Sequence, residues 1–392
     1  MILAATGDIP VTLVELGLVL LVLAVSGRLA RRAGVSTIPL YLLAGLTLGE
    51  GGVVELVTAR SFIETGAEIG VILLLLMLGL EYSGTELVES LRTSRPAGLL
   101  DLVLNAAPGV VAGLLLGWDT TAALFLGGIT YVSSSGVVAK VLEELGRIGN
   151  RETPAVLSLL IFEDLVMALF LPVAASLAVA SGAAETASDV AVALAAVAVA
   201  FAVTLRLGDR VSRIVSSPSD ELLLLTVLGV AFLAAGGAEQ VGAPGAVVAL
   251  LVGIALSGQA AERTRVVLTP LRDLFAAVFF VFFGLEVDPA TVPAVLPEAA
   301  ALAVVTGATK VLTGAWAAGR GGVGLPGRLR AGTVLVARGE FSIILAGIAL
   351  AEGLEPELGA LAAAYVLIVA SAGPLLTRFA DPVAQRLQAR SG

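Results

Sequence analysis

Apolar stretches of about 20 residues recur along the whole of this 392-residue chain, separated by short polar or glycine-bearing loops. No other feature constrains the fold so tightly. About 20 apolar residues cross the roughly 30 Å of bilayer hydrocarbon as a helix, and only helices and closed barrels can satisfy their own backbone there. Thirteen segments are predicted, over residues 9–31, 37–49, 62–81, 95–116, 121–144, 154–178, 187–208, 219–238, 243–258, 268–286, 297–318, 328–352 and 357–378. The second and ninth are short. With 58% hydrophobic and 14% charged residues the chain cannot clothe a soluble domain in polar surface, so the reading is an all-α membrane protein. The first segment is followed by Arg28, Arg31 and Arg32 and by no small-residue cleavage site, so it reads as a helix and not a signal peptide. About fourteen residues follow the last segment, and no cytosolic nucleotide-binding domain is expected.

Lys and Arg accumulate in cytoplasmic loops. Twenty of the twenty-three basic residues follow odd-numbered segments; Arg60 lies in an opposite loop, and Lys310 and Arg338 lie inside segments. The amino terminus is therefore expected outside and the carboxyl terminus in the cytoplasm. The net charge of −9 decorates loops and argues against a nucleic-acid partner. Cysteine and histidine are absent. There is thus no disulfide, no imidazole metal ligand and no histidine proton relay, and any proton carried must ride on a carboxylate or a lysine.

Two halves of the chain resemble each other. Gly79-Leu80-Glu81 matches Gly284-Leu285-Glu286 at an offset of 205, and "LLAGLTLG" with Gly45 matches "LLVGIALSG" with Gly253 at 208. Segments one to six (about 9–178) then map on eight to thirteen (about 219–378), with a linker helix at about 187–208 between them. A shift of seven segments turns one half over relative to the other, which is the inverted repeat characteristic of secondary transporters, with the site near the midplane.

Such sites are built on interrupted helices. "GGITYVSSSGVVAKV" places Ser133, Ser134, Ser135 and Gly136 about 20 Å from the outer end of segment five at 1.5 Å per residue. At offset 205 this break falls on "LVARGEFSI" of segment twelve, with Arg338 and Glu340. Segment six, "AVLSLLIFEDLVMALFLPVA", carries an adjacent acid pair, Glu163 and Asp164, about 15 Å deep, and Lys310 lies comparably deep in segment eleven. Charges at such depth are costly and are usually kept by a function. Successive helical residues point about 100° apart, so the two acids cannot face one spot. The simplest allocation gives Glu163 to Lys310, leaves Asp164 facing a water-filled cavity, and makes Arg338 and Glu340 a second charge-balanced group. Serine hydroxyls in membrane helices also simply bond backbone, the bland alternative for Ser133–Ser135.

The acid pair, the midmembrane lysine, "RGEF", the serine-rich break and the thirteen-segment repeat together resemble the monovalent cation:proton antiporters, in the branch with Kef-type and NapA-like exchangers. The resemblance spans nearly the whole chain. It implies that Asp164 is the ion- and proton-binding carboxylate, Glu163 its acidic neighbour and Lys310 the partner lysine, with Ser133–Ser135 and Arg338–Glu340 on the crossing helices. It also implies a homodimer and a separate cytosolic regulatory subunit, in a prokaryotic plasma membrane. Electrogenic sodium exchangers of the branch carry Asp-Asp, and Kef proteins commonly Gln-Asp, where this chain has Glu163-Asp164.

The expected activity is therefore exchange of potassium or sodium for protons, the two ligands competing for one carboxylate with no cofactor. A gated cation channel and an organic-anion symporter are the alternatives; nothing resembling an enzyme's nucleophile and base, phosphate loop or cofactor motif is visible. "GRGGVG" at 319–324 has no strand before it and reads as a cytosolic turn. If Glu163 and Lys310 pair, Lys310→Ala should lower stability by about 3–5 kcal/mol. Glu163→Gln with Lys310→Gln should recover much of that loss. Thermal unfolding of the four-member cycle decides it, since strictly additive effects would show that the two residues do not interact.

Overall fold

The computed structural model describes residues 9–33, 37–49, 59–80, 84–179, 212, 217, 219–240, 245–256 and 258–391. Its helices are α1 (Ile9–Ala33), α2 (Ile38–Leu48), α3 (Arg60–Gly79), α4 (Gly84–Leu115), α5 (Thr120–Tyr131), α6 (Ser135–Glu144), α7 (Thr153–Val179), α8 (Asp220–Glu239), α9 (Gly245–Ala255), α10 (Gly258–Glu286), α11 (Val292–Arg320), α12 (Leu325–Val334), α13 (Glu340–Ala351) and α14 (Pro356–Ser391). Every expected segment except the seventh falls on these helices; residues 187–208 lie outside the described residues, as does Glu81 of the repeat motif. Among the described residues eight helical stretches are long and apolar enough to cross a membrane, with Ile38–Leu48 and Glu340–Ala351 as shorter apolar helices.

Three helices run well beyond the apolar stretch that announced them: α4 begins eleven residues before 95, α10 ten before 268, and α14 continues thirteen past 378. The added turns are rich in Glu, Arg, Gln, Ala and Leu, good helix formers that hydropathy does not register. Segments five and twelve are broken. Val132 is extended between α5 and α6, with φ −79° and ψ 130°, and residues 335–339 separate α12 from α13.

The chain divides into two units. One comprises residues 1–61, 93–164 and 280–392; there α11 packs on α12 and α14, and α13 on α14 and α5. Its interior includes Phe125, Leu126 and Ile129 of α5, Ile343 and Leu345 of α13, and Tyr365 of α14, none more than 1% exposed. The other comprises residues 62–92 and 165–279, where Leu73 and Leu76 of α3 meet Leu223 and Val227 of α8, Ala249 of α9 and Leu268 of α10. Leucines and valines such as Leu13, Val14, Leu233 and Val304 stand outward, as on a chain whose solvent is lipid.

Small residues set the closest helix contacts, because in lipid packing and not the hydrophobic effect joins helices. A Cβ on Gly45 of α2 would lie 2.2 Å from the Val281 carbonyl oxygen and 2.7 Å from the Gly284 Cα of α10. In the second unit a Cβ on Gly79 of α3 would lie 2.1 Å from Leu250 O and 2.9 Å from the Gly253 Cα of α9. These four are the glycines that align between the halves. The pattern recurs at offset 205, where an added Cβ on Gly109 would meet Leu126 O at 2.4 Å and one on Gly314 would meet Ala331 O at 2.9 Å. Likewise, one on Gly127 would meet Ala106 O at 3.2 Å and one on Gly332 would meet Val311 O at 2.4 Å.

A polar network closes one end of the first unit. Arg330 of α12 donates to Glu152, just before α7, at 2.5 Å and to Asp381 of α14 at 2.7 Å. Arg147 donates to Asp381 and to the Thr377 carbonyl, each at 2.9 Å. Burial pushes the Glu152 carboxyl up, but hydrogen bonds from Arg330 and Asn150 outweigh it and hold the group below its ordinary value. Glu152 thus stays charged at neutral pH, and its bonds with Arg330 tie the start of α7 to α12.

Gly45→Ala should lower the thermal stability of the detergent-solubilised protein by about 1–3 kcal/mol, the usual cost of overpacking. Gly229→Ala on α8, where a Cβ meets nothing within 4 Å, should leave it unchanged or raise it. Equal effects in a melting experiment would refute the close-contact reading.

Candidate functional site: the crossing of two broken helices

Breaking α5 and α12 frees backbone groups that an apolar interior cannot hydrate. The two breaks satisfy each other. Ser134 N–H donates to Ala337 O at 2.9 Å, Ser133 Oγ to Leu335 O at 2.9 Å, and Ser342 Oγ to Ile129 O at 2.8 Å. Arg338 is fully buried. Its Nε and Nη2 donate to Thr130 O at 3.0 and 2.8 Å, and its Nη1 to Leu335 O and Val336 O at 3.0 and 2.9 Å. One planar fork thereby covers the carbonyl ends of both α5 and α12, where the helix dipoles are negative.

Glu340 serves the opposite ends. It opens α13, and it accepts from Ser134 Oγ at 2.7 Å and Ser135 Oγ at 3.3 Å at the start of α6. Ser134 Oγ also accepts from Val137 N–H at 3.3 Å, capping α6. The expectation that Arg338 and Glu340 balance each other is therefore corrected. Arg338 bonds carbonyls and Glu340 bonds hydroxyls, each charge answering helix ends of opposite polarity.

Beside the crossing lies a buried charge cluster. Lys310 Nζ of α11 is 2.9 Å from Glu163 Oε1 of α7, the expected pair, and 2.5 Å from Asp101 Oδ2 of α4. All three side chains are 0% exposed. The face of Tyr131 stands 5.3 Å from the ammonium, within cation–π range. Glu163 also accepts from the Ser133 backbone N–H at 2.5 Å and its hydroxyl at 3.3 Å, which ties α7 to the break in α5. Asp101 Oδ1 accepts from Thr313 Oγ1 at 2.7 Å and from Asn105 Nδ2 at 3.0 Å. Asn105 Oδ1 in turn accepts from Thr309 Oγ1 at 2.8 Å, and its backbone carbonyl from Thr130 Oγ1 at 2.9 Å. Asp164, next to Glu163 on α7, is 2% exposed.

Five of the expected site residues, Ser133, Ser134, Ser135, Arg338 and Glu340, thus meet at the crossing, and Glu163 and Lys310 meet beside it. Asp101 was missed. It carried the same signal as the acid pair, a lone acid in the apolar run "GLLDLVLN", and its presence changes the expected stability cycle. Neutralising Glu163 and Lys310 together leaves Asp101 without its ammonium, so recovery will be incomplete unless Asp101 is neutralised as well.

Residues 17–380 match the model of the sodium/hydrogen exchanger transmembrane family. The chain is 32% identical to the K(+)/H(+) antiporter subunit KhtU of Bacillus subtilis over 378 residues, 93% of this chain and 92% of that one. It is 29% identical to the ammonium/H(+) antiporter subunit AmhT of Alkalihalophilus pseudofirmus, over 94% and 93% of the two chains. Among solved structures it matches the sodium proton antiporter MjNhaP1 of Methanocaldococcus jannaschii with a TM-score of 0.73, at 19% identity, over 97% and 99% of the chains. That likeness is one of fold. The family model covers almost the full length and takes in both broken helices and the buried cluster, so this integral membrane protein belongs to the sodium/hydrogen exchanger family.

Proposed function

We propose that this chain exchanges a monovalent cation, potassium or sodium, for protons across a prokaryotic plasma membrane by alternating access, with Asp164 binding cation or proton in competition. The observation that carries the reading is a buried acid, Asp164, next to Glu163 on α7, which is tied to a crossing of broken helices whose carbonyl ends are met by Ser133 and Arg338. A cation requires the ionised carboxylate and a proton neutralises it, so one group exchanges the two without a separate gate for each. Ser133–Ser135 would complete an oxygen shell. The relatives named above as K(+)/H(+) and ammonium/H(+) antiporters support this over a gated channel, and adjacent acids disfavour an organic anion.

The reading includes thirteen helices as an inverted repeat, with the linker helix near 187–208, the amino terminus outside and the carboxyl terminus in the cytoplasm. Two kinds of contact support the repeat. The glycine pairs 45/284 and 253/79 are the same contact with the halves exchanged. The bond from Ser133 to Leu335 O likewise becomes, on moving each residue by 205, the bond from Arg338 to Thr130 O. A homodimer and a separate cytosolic subunit complete the proposal; KhtU and AmhT are both named as subunits.

In proteoliposomes Asp164→Asn should abolish cation-driven proton movement while leaving the melting temperature near that of the parent. Full exchange by this variant would remove Asp164 from the mechanism. Ser134→Ala should weaken apparent cation affinity severalfold and shift the pH profile less, because a hydroxyl ligand serves the metal ion and not the proton. Equal loss in both would point to a collapsed crossing, since Ser134 also caps α6.

A further inference from the structure

Lys310 stands between two acids, and the exchange proposed above uses neither of them as the site of competition. We propose that Asp101 is a positioning residue that locks Lys310 as a permanent ammonium, so that one cation is exchanged for one proton and no net charge crosses the membrane. This rests on the proposed exchange and adds its electrical character.

An ammonium has three N–H groups and no acceptor. Lys310 places Asp101 Oδ2 at 2.5 Å, Glu163 Oε1 at 2.9 Å and the Tyr131 ring at 5.3 Å around that ammonium. Asp101 accepts from Lys310, Thr313 and Asn105, an acceptor-only role that suits a carboxylate. Asp101 takes its bonds from Lys310 and Thr313 of α11 and from Asn105 of its own helix, and it touches the α5 break only indirectly, through Asn105 and Thr130. Glu163, by contrast, is tied to the break through Ser133. If the crossing rearranges and Glu163 turns or takes up a proton, Lys310 keeps an acid 2.5 Å away.

The alternative is a lysine that gives up its proton during the cycle. That would leave Asp101 and Glu163, both 0% exposed, as two carboxylates around a neutral amine, the least favourable charge state for this pocket. With Lys310 fixed, only Asp164 changes occupant: its O–H bond breaks, the proton leaves to water, and the cation takes its place on the same oxygens. The two states carry equal charge.

The test is the balance point of exchange in proteoliposomes of the full chain, with a pH-sensitive dye inside and a 100 mV potential imposed by a lipophilic ion. The cation ratio at which proton movement stops should depend on the proton gradient alone. Net movement of one charge per cycle would displace it about 50-fold at 100 mV, and that displacement in the unmodified protein would overturn the proposal. Asp101→Asn, checked for folding by melting and size exclusion, should make the balance point voltage-sensitive, and Asp101→Glu should restore silence. A balance point in Asp101→Asn that stays insensitive to voltage would remove Asp101 as the lock. Should Asp101→Asn fail to fold, Glu163→Gln provides the second arm: with Asp101 still in place its slower exchange should remain electrically silent, and voltage sensitivity there would equally sink the idea. Absence of any cation-driven proton movement in the unmodified protein would be a different result, overturning the exchange reading itself.

Discussion

A peptide group released from a helix in the middle of an apolar bundle has nowhere to turn but to the protein, and the whole of this arrangement follows from that. The carbonyls of Thr130, Leu335 and Val336 are such groups, and one guanidinium collects them. An unpaired peptide group in hydrocarbon costs several kcal/mol, and Arg338, with Ser133 and Ser342, supplies the donors that offset it at both helix ends. The breaks in turn bring Ser133 within reach of Glu163, and Glu163 within reach of Lys310. The buried charge cluster is joined to the crossing by the same bonds that make an interrupted helix tolerable.

That dependence also separates two kinds of buried charge. Arg338 and Glu340 answer helix ends, partial charges that do not change during any cycle. Asp101, Glu163 and Lys310 answer one another, and Asp164 lies at their edge. A membrane protein can keep so many ionic groups out of water only when most of them have partners within the protein.

Much of this was legible in the residues. Apolar length located the helices, because hydrocarbon thickness admits little choice, and the serine-glycine and "RGEF" interruptions located the crossing. Glu163 and Lys310 were paired on depth and angle alone, and they do touch. What escaped had physical reasons. Hydropathy is blind to a helix that continues into water, so α4, α10 and α14 were drawn short. Net charge per group suggested that Arg338 and Glu340 offset each other, whereas helix dipoles, which no side-chain count includes, are what each one meets. Asp101 is a single acid in an apolar run, and only folding brings it beside Lys310, 209 positions away.

The two breaks occupy matching places 205 residues apart, yet they are chemically unlike: Ser133 corresponds to Arg338, and Ser135 to Glu340. Two identical halves would have brought two guanidiniums to one set of carbonyls, or none at all. Either would be untenable in this interior, the first through repulsion between buried like charges and the second through carbonyls left bare. Changing either residue alone to its counterpart would therefore crowd or thin the donors on these carbonyls, so positions 133 and 338 constrain each other's identity across 205 residues of chain.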